Sequence, residues 1–100
     1  MTMFDLIFSK KAVDDLAEIW KYTANKWSIK QAEDYYSIII SSCRKISTNP
    51  FLYGTKYNEI IEGLFGCRIK EHVVFYKIEN DKILVIRILH GRMDFKNNLG

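Results

Sequence analysis

The chain has 100 residues, of which 48% are hydrophobic, 27% charged and 14% aromatic, a balance that excludes a disordered chain and fits one globular domain over residues 1–100. No apolar run nears the roughly 20 residues that span a bilayer, since Ile83–Ile86 is closed off by Lys82 and Arg87. The net charge of +3 is lopsided: residues 1–63 carry eight Lys/Arg and eight Asp/Glu, whereas residues 64–100 carry seven and four. That is a mild pull toward an anionic partner in the C-terminal part.

Met1–Asp5 has neither the basic nor the apolar region of a signal peptide, so a cytoplasmic location without membrane contact is expected. Phe4–Phe8 reads as a first strand, and Ser9 can cap the helix that follows by accepting a free backbone N–H. Val13, Leu16, Ala17, Trp20, Ala24 and Trp27 recur at helical spacing. Ser28-Ile29-Lys30-Gln31 is a capping box that starts a second helix, whose apolar positions are Ala32, Tyr35, Tyr36, Ile39, Ile40, Cys43 and Ile46. Asn49-Pro50 stops it, because proline disfavours helix at the residue before it. With almost no linker between them, the two helices must form an antiparallel hairpin.

Residues 51–63 read as a connecting loop, in which Gly54 and Gly63 are candidates for unusual backbone angles. Leu64–Lys70, His72–Glu79 and Lys82–His90 are rich in Val, Ile, Phe and Tyr and predict three strands, the last two joined by a tight Asn80-Asp81 turn. Consecutive apolar residues in Val73–Tyr76 and Ile83–Ile86 imply that both faces of those strands are covered. The predicted class is α+β: an N-terminal strand, an antiparallel two-helix hairpin, then a mainly antiparallel three-stranded sheet, in the order β-α-α-β-β-β.

Cys43 and Cys67 lack Cys-x-x-Cys spacing and are expected to be reduced. No spacing of His, Cys or acidic residues suits a metal, so neither metal nor cofactor is expected. Gly63-x-x-Gly66 lacks the helix and lysine of a phosphate loop, and no serine sits in a nucleophile-elbow context. What remains is a basic set at the ends of the last strands: Arg68, Lys70, Arg87, His90 and Arg92. Such residues can hold a phosphate backbone, or cleave RNA by stabilising charge at phosphorus while a base takes the 2′-OH proton. Equally, they can be the solvated face of a sheet, and the residues alone do not choose.

The element order resembles the RelE/ParE superfamily of toxin–antitoxin toxins over almost the whole chain. Ala12-Val13-Asp14-Asp15-Leu16-x-x-Ile19-x-x-Tyr22 resembles the family's first helix, Trp27-Ser28-x-x-x-Ala32-x-x-Tyr35 its helix junction and Asn49-Pro50 the end of its second helix. Arg68 followed by Val73–Tyr76 resembles its central strands. Ile86-Arg87-Ile88-Leu89-His90-Gly91-Arg92-Met93-Asp94 is similar to the tail signature of the ParE branch, the plasmid stabilisation proteins.

The RelE branch implies ribosome-dependent messenger-RNA cleavage, for which Arg68, His90 and Arg92 would be the catalytic set; the ParE branch implies poisoning of DNA gyrase by binding, without catalysis. The ribonuclease branch typically carries an arginine where this chain has Val73, and a late catalytic tyrosine or histidine; no tyrosine follows Tyr76 here. The resemblance therefore implies a gyrase inhibitor with Arg68, His90, Arg92 and Asp94 as target-binding residues. His90 is expected to donate a hydrogen bond that fixes the tail. The resemblance also implies a ParD-like antitoxin, through which alone DNA is contacted, docking on the helical hairpin at Trp20, Trp27, Tyr35 and Tyr36. A third reading is an inactive relative that only binds antitoxin.

Overall fold

The computed structural model describes residues 4–99; Met1–Met3, the start of the segment read as lacking a signal peptide, lie outside the described residues, as does Gly100. Strand β1, Asp5–Phe8, leads into helix α1, Lys10–Lys26. Ser9 caps α1 as predicted: its Oγ accepts from the Ala12 N–H at 3.0 Å and donates to the Ile86 carbonyl at 2.7 Å. One hydroxyl thus caps a helix, worth about 1 kcal/mol, and ties it to the sheet.

Ser28 starts helix α2, Ile29–Thr48, by accepting from the Gln31 N–H at 3.1 Å. The α2 stripe Ala32, Ile39, Cys43 and Ile46 is buried as expected, with Tyr35 and Ile40 partly covered. On α1 the buried face differs from the predicted one. Ala12 and Leu16 face the core with Ile19 packed against it, whereas Val13 and Trp27 are exposed. Apolar residues lie on two sides of α1, and the sheet claims one side only.

Pro50 does more than end α2: it opens a short helix α3, Pro50–Tyr53. Strand β2, Thr55–Lys56, follows, so the segment expected to be a plain loop contains two elements. Gly63 has the positive φ of 79° expected of it. Gly54 does not; its backbone is extended, and it is glycine because a Cβ would collide with the Tyr76 ring. Strands β3 (Leu64–Ile69), β4 (His72–Glu79) and β5 (Lys82–His90) match the predicted ones closely. Lys70 and Asn80 open the two tight turns at φ 53° and 56°.

The sheet has five strands in the order β1-β5-β4-β3-β2, where the sequence predicted three. β1 joins it parallel to β5, with Asp5 opposite Lys82, and β2 joins at the far edge, with Thr55 opposite Gly66. The class is α+β with the predicted order of main elements; the rest of the pairing is antiparallel. Between Phe75 and Tyr76 the β4–β5 register slips, leaving Ile86 as an extra residue. The slip reverses the alternation along β5, so Val85 and Ile88 both face the helices while Ile86 and Leu89 face the other way.

Both faces of the sheet are covered, as the consecutive apolar runs implied. The helical hairpin packs on one face over Val74, Tyr76, Ile83 and Val85. The other face holds Leu64, Val73, Phe75 and Leu89 under the segment around Tyr57–Ile61 and under a final helix α4, Phe95–Leu99. Phe95 sits edge-on to Phe75 with ring centroids 4.8 Å apart, which anchors the tail to the sheet. Cys43 is buried and Cys67 half-buried, both free thiols, and burial pushes Cys43 up to about 12, so it is an inert packing group.

Candidate functional site

The rim where the β3–β4 turn meets the end of β5 gathers the sequence-predicted residues. His72 stands opposite His90 and Ile69 opposite His72, so Arg68, Lys70, Glu71, His72, His90 and Arg92 share one end of the sheet. The two imidazoles meet edge to face, centroids 5.2 Å apart. His90 Nδ1 accepts from the Arg92 backbone N–H at 3.1 Å, so His90 fixes the tail as an acceptor rather than as the expected donor. Its Nε2 faces the Glu71 carboxylate at 3.7 Å.

His72 is tied to the hairpin: the Tyr35 hydroxyl lies 2.7 Å from its Nδ1. Burial, and then the neighbouring His90, push His72 down to about 4 against weaker opposing pulls from Glu71 and Asp15. It is a neutral imidazole at neutral pH. Beside it a cavity of about 390 Å³ opens between α1 and the tail, with Ile19, Ile88 and Met93 as apolar lining and His72, His90 and Tyr22 at its polar parts.

The structure separates two residues from this rim. Arg87 does not join the basic set: it forks onto Asp15 of α1, Nε to Oδ2 at 2.8 Å and Nη2 to Oδ1 at 2.9 Å, and donates from Nη1 to the Asn98 carbonyl. The hydrogen bonds it donates to Asp15 hold its guanidinium above its ordinary range, against the opposing effect of burial. Asp94 starts α4, accepting from the Asn97 backbone N–H and side-chain amide. Arg68 donates from Nε to the Lys70 carbonyl at 3.0 Å and rests against Gly91. The sequence reading missed Tyr35–His72 and the Arg68–Gly91 contact, because each joins residues far apart in the chain with no periodicity to betray it.

On the hairpin, a second groove of about 380 Å³ is lined by Trp27, Tyr35, Thr23, Gln31, Asp34 and Ile38. It brings together two of the four predicted aromatic anchors. Trp27 is 66% exposed. Trp20 is half-buried outside the groove, and Tyr36, 42% exposed, lies on another side of α2. Phe51 and Leu52 on α3 add further exposed apolar surface that the sequence reading did not single out.

The chain is similar to known proteins over nearly its whole length. The family profile described as the ParE toxin of the type II toxin-antitoxin system parDE matches residues 6–95. Toxin ParE1 of Caulobacter vibrioides is 32% identical over 92 residues, covering 92% of this chain and 94% of that protein. Toxin ParE1 of Mycobacterium tuberculosis is 32% identical over 94 residues, covering 93% and 95%. Among solved structures, a chain of the chromosomal ParDE system from P. aeruginosa superposes with a TM-score of 0.77 at 16% identity, covering 88% of this chain and 96% of that one. A chain of the RelBE2 toxin-antitoxin complex from Mycobacterium tuberculosis gives 0.72 at 15% identity, covering 89% and 99%. The structural likenesses carry the fold; the profile and the curated relatives carry the family. The chain belongs to the ParE toxin family of type II toxin–antitoxin systems.

Proposed function

We propose that the protein inhibits DNA gyrase by binding through the rim of Arg68, His90 and Arg92, and that a ParD-like antitoxin neutralises it. The observation that carries this reading is Val73. It occupies the position where the ribonuclease branch is expected to hold an arginine, and it is 4% exposed in the apolar cluster under α4. Phe95 and Leu99 of the tail pack against the same cluster, and no tyrosine follows Tyr76 in the chain. A missing charge stabiliser and a missing general acid would each cost about two orders of magnitude or more in rate. A binding mode needs neither.

The antitoxin lies in the hairpin groove with Trp27 and Tyr35 as anchors, and Asp94 supports the target surface by starting the helix behind it. The solved relatives include complexes of a toxin with its antitoxin, which supports such a partner here. A cytoplasmic site of action goes with this reading, and no described helix is long and apolar enough to cross a membrane.

One observation favours a second reading. The neutral His72, hydrogen-bonded to Tyr35 and close to His90, is a candidate acid–base pair for RNA cleavage. Purified protein incubated with gyrase, ATP and plasmid separates the two. Loss of supercoiling or accumulation of linear DNA, reversed by antitoxin, supports gyrase binding. Unaffected gyrase at toxin excess, with cleavage of ribosome-bound messenger RNA, establishes the nuclease instead. Neither activity, with antitoxin binding intact, identifies an inactive relative.

A further inference from the structure

We infer that Arg68 and Gly91 form a preorganised receptor for the phosphodiester group of a nucleic acid, so that the rim touches the nucleic acid held by its target as well as the target protein. This rests on the target-binding reading of the rim and replaces the purely indirect DNA contact that the family resemblance implies. Gly91 is not glycine for its backbone angle, since Gly63 is the glycine with positive φ among the described residues. It is glycine for space. A Cβ at position 91 would lie 2.8 Å from Nη1, 3.1 Å from Nη2 and 3.2 Å from Cζ of Arg68, which places the guanidinium over the bare α-carbon.

The plane is held from a second direction, because Nε donates to the Lys70 carbonyl at 3.0 Å. The floor is fixed too, since the Gly91 N–H donates to the Glu71 carbonyl at 2.8 Å. Surface arginines ordinarily lose rotamer freedom when they bind; this one has already lost much of it. Nη1 and Nη2 are left with no acceptor among the described residues, and no carboxylate pairs with Arg68 there. Two parallel N–H donors on a fixed plane match two oxygens of one oxyanion.

The neighbours favour a chain of phosphates over a single carboxylate. Lys70 and Arg92 flank Arg68 along the rim with no acidic partner among the described residues, so successive anions find successive cations. The nearby carboxylates look elsewhere: Glu71 faces His90, and Asp94 is engaged by Asn97. Lys70 is held at φ 53°, which fixes the carbonyl that orients Arg68.

Fluorescence anisotropy of the full-length protein tests this with three probes: a short DNA duplex, a single-stranded RNA of equal length and a glutamate-rich peptide of matched charge. Wild type is compared with Arg68→Lys, Arg68→Gln and Gly91→Ala at several salt concentrations. Gly91→Ala keeps every charge and displaces only the far end of a flexible side chain, so the fold is retained, as the unfolding midpoint checks. Arg68→Gln is expected to weaken nucleic-acid binding roughly tenfold and to lower the salt slope by about 1. Gly91→Ala and Arg68→Lys are expected to lose about fivefold, because the charge survives while the fixed fork does not.

Preference for the duplex assigns the phosphate to DNA, preference for the single strand to RNA, and both support the receptor. Nucleic-acid binding that ignores Arg68→Gln, or Arg68-dependent binding of the acidic peptide alone, overturns it. Gyrase inhibition is measured on the same preparations. Its absence from wild type with Arg68-dependent nucleic-acid binding intact fails the proposed target alone, and the reverse fails the receptor alone.

Discussion

Arg87 on β5 and Asp15 on α1 are joined by two parallel hydrogen bonds of 2.8 and 2.9 Å, and the Ile88 N–H donates to the same carboxylate at 2.9 Å. The side chains are only 19% and 15% exposed, so neither charge is well solvated once its partner is gone. Asp15→Ala is expected to destabilise the fold by about 3 kcal/mol, in line with breaking other mostly buried pairs. Replacing both together, Asp15→Leu with Arg87→Met, should recover part of that loss, the remainder being the Ile88 N–H left without its acceptor. Urea unfolding of the three variants measures it, and a double variant as unstable as Asp15→Ala would contradict the account.

Tyr76 is fully buried and donates to the Pro50 carbonyl at 2.6 Å, crossing from the middle of the sheet to α3. A Cβ on Gly54 would lie against that hydroxyl and 2.8 Å from Cζ. Gly54→Ala should therefore cost about 3 kcal/mol from overpacking, with the hydrogen bond disturbed. Tyr76→Phe should cost about 1–2 kcal/mol by leaving a buried carbonyl unpaired. The two changes compensate sterically. Their combination should be more stable than the sum of the single losses predicts, which a double-mutant cycle reads directly.

His72 is held near 4 in the folded protein against an ordinary value of 6.5. Between those values the unfolded chain binds more protons than the folded one, so stability rises with pH across that window and is level above it. The groups that face this imidazole are Tyr35 from α2, His90 from β5, Glu71 from the adjoining turn and Asp15 from α1. Unfolding midpoints followed from pH 7 down to pH 4 should fall, and His72→Gln should remove much of that dependence. An unchanged pH dependence in His72→Gln would place the titration on another group.

Trp20 lies within α1 and Trp27 caps its C-terminal end, and the two should separate binding from stability. Trp27, two-thirds exposed at the groove, should change stability by less than about 0.5 kcal/mol when replaced by alanine. Its loss should weaken antitoxin binding by more than about tenfold if it is a central anchor. Half-buried Trp20, outside the groove, should cost about 2 kcal/mol of stability on truncation. Calorimetric titration of the antitoxin against each variant, beside thermal unfolding, provides both numbers.

Local rules made much of this fold legible. The Ser9 and Ser28 caps, the α2 stripe and the Asn80-Asp81 turn were each written in a few adjacent residues, and the structure places them as read, apart from Tyr36 of the stripe, which is exposed. Edges were harder. β2 is two residues long and β1 joins by parallel pairing to a strand more than seventy residues away, so neither had a local signal that made it part of the sheet. The buried face of α1 was misjudged because its apolar residues lie on two sides, and helical spacing alone does not say which side the sheet covers. At the site, Arg68, His90 and Arg92 were read from a motif, whereas the partners that orient them come from turns and strands brought together only by the register. Arg87 looked like one more rim cation until α1 supplied Asp15.

Under the proposed function, target and antitoxin use different surfaces, the rim and the hairpin groove. One variant tests it most directly: Arg68→Gln with Arg92→Gln, assayed for inhibition of gyrase supercoiling and for antitoxin affinity, after its unfolding midpoint is shown to match wild type. Inhibition is expected to weaken by more than about tenfold, with antitoxin affinity unchanged. Full inhibition of gyrase, or antitoxin binding lost in step with inhibition, would contradict it.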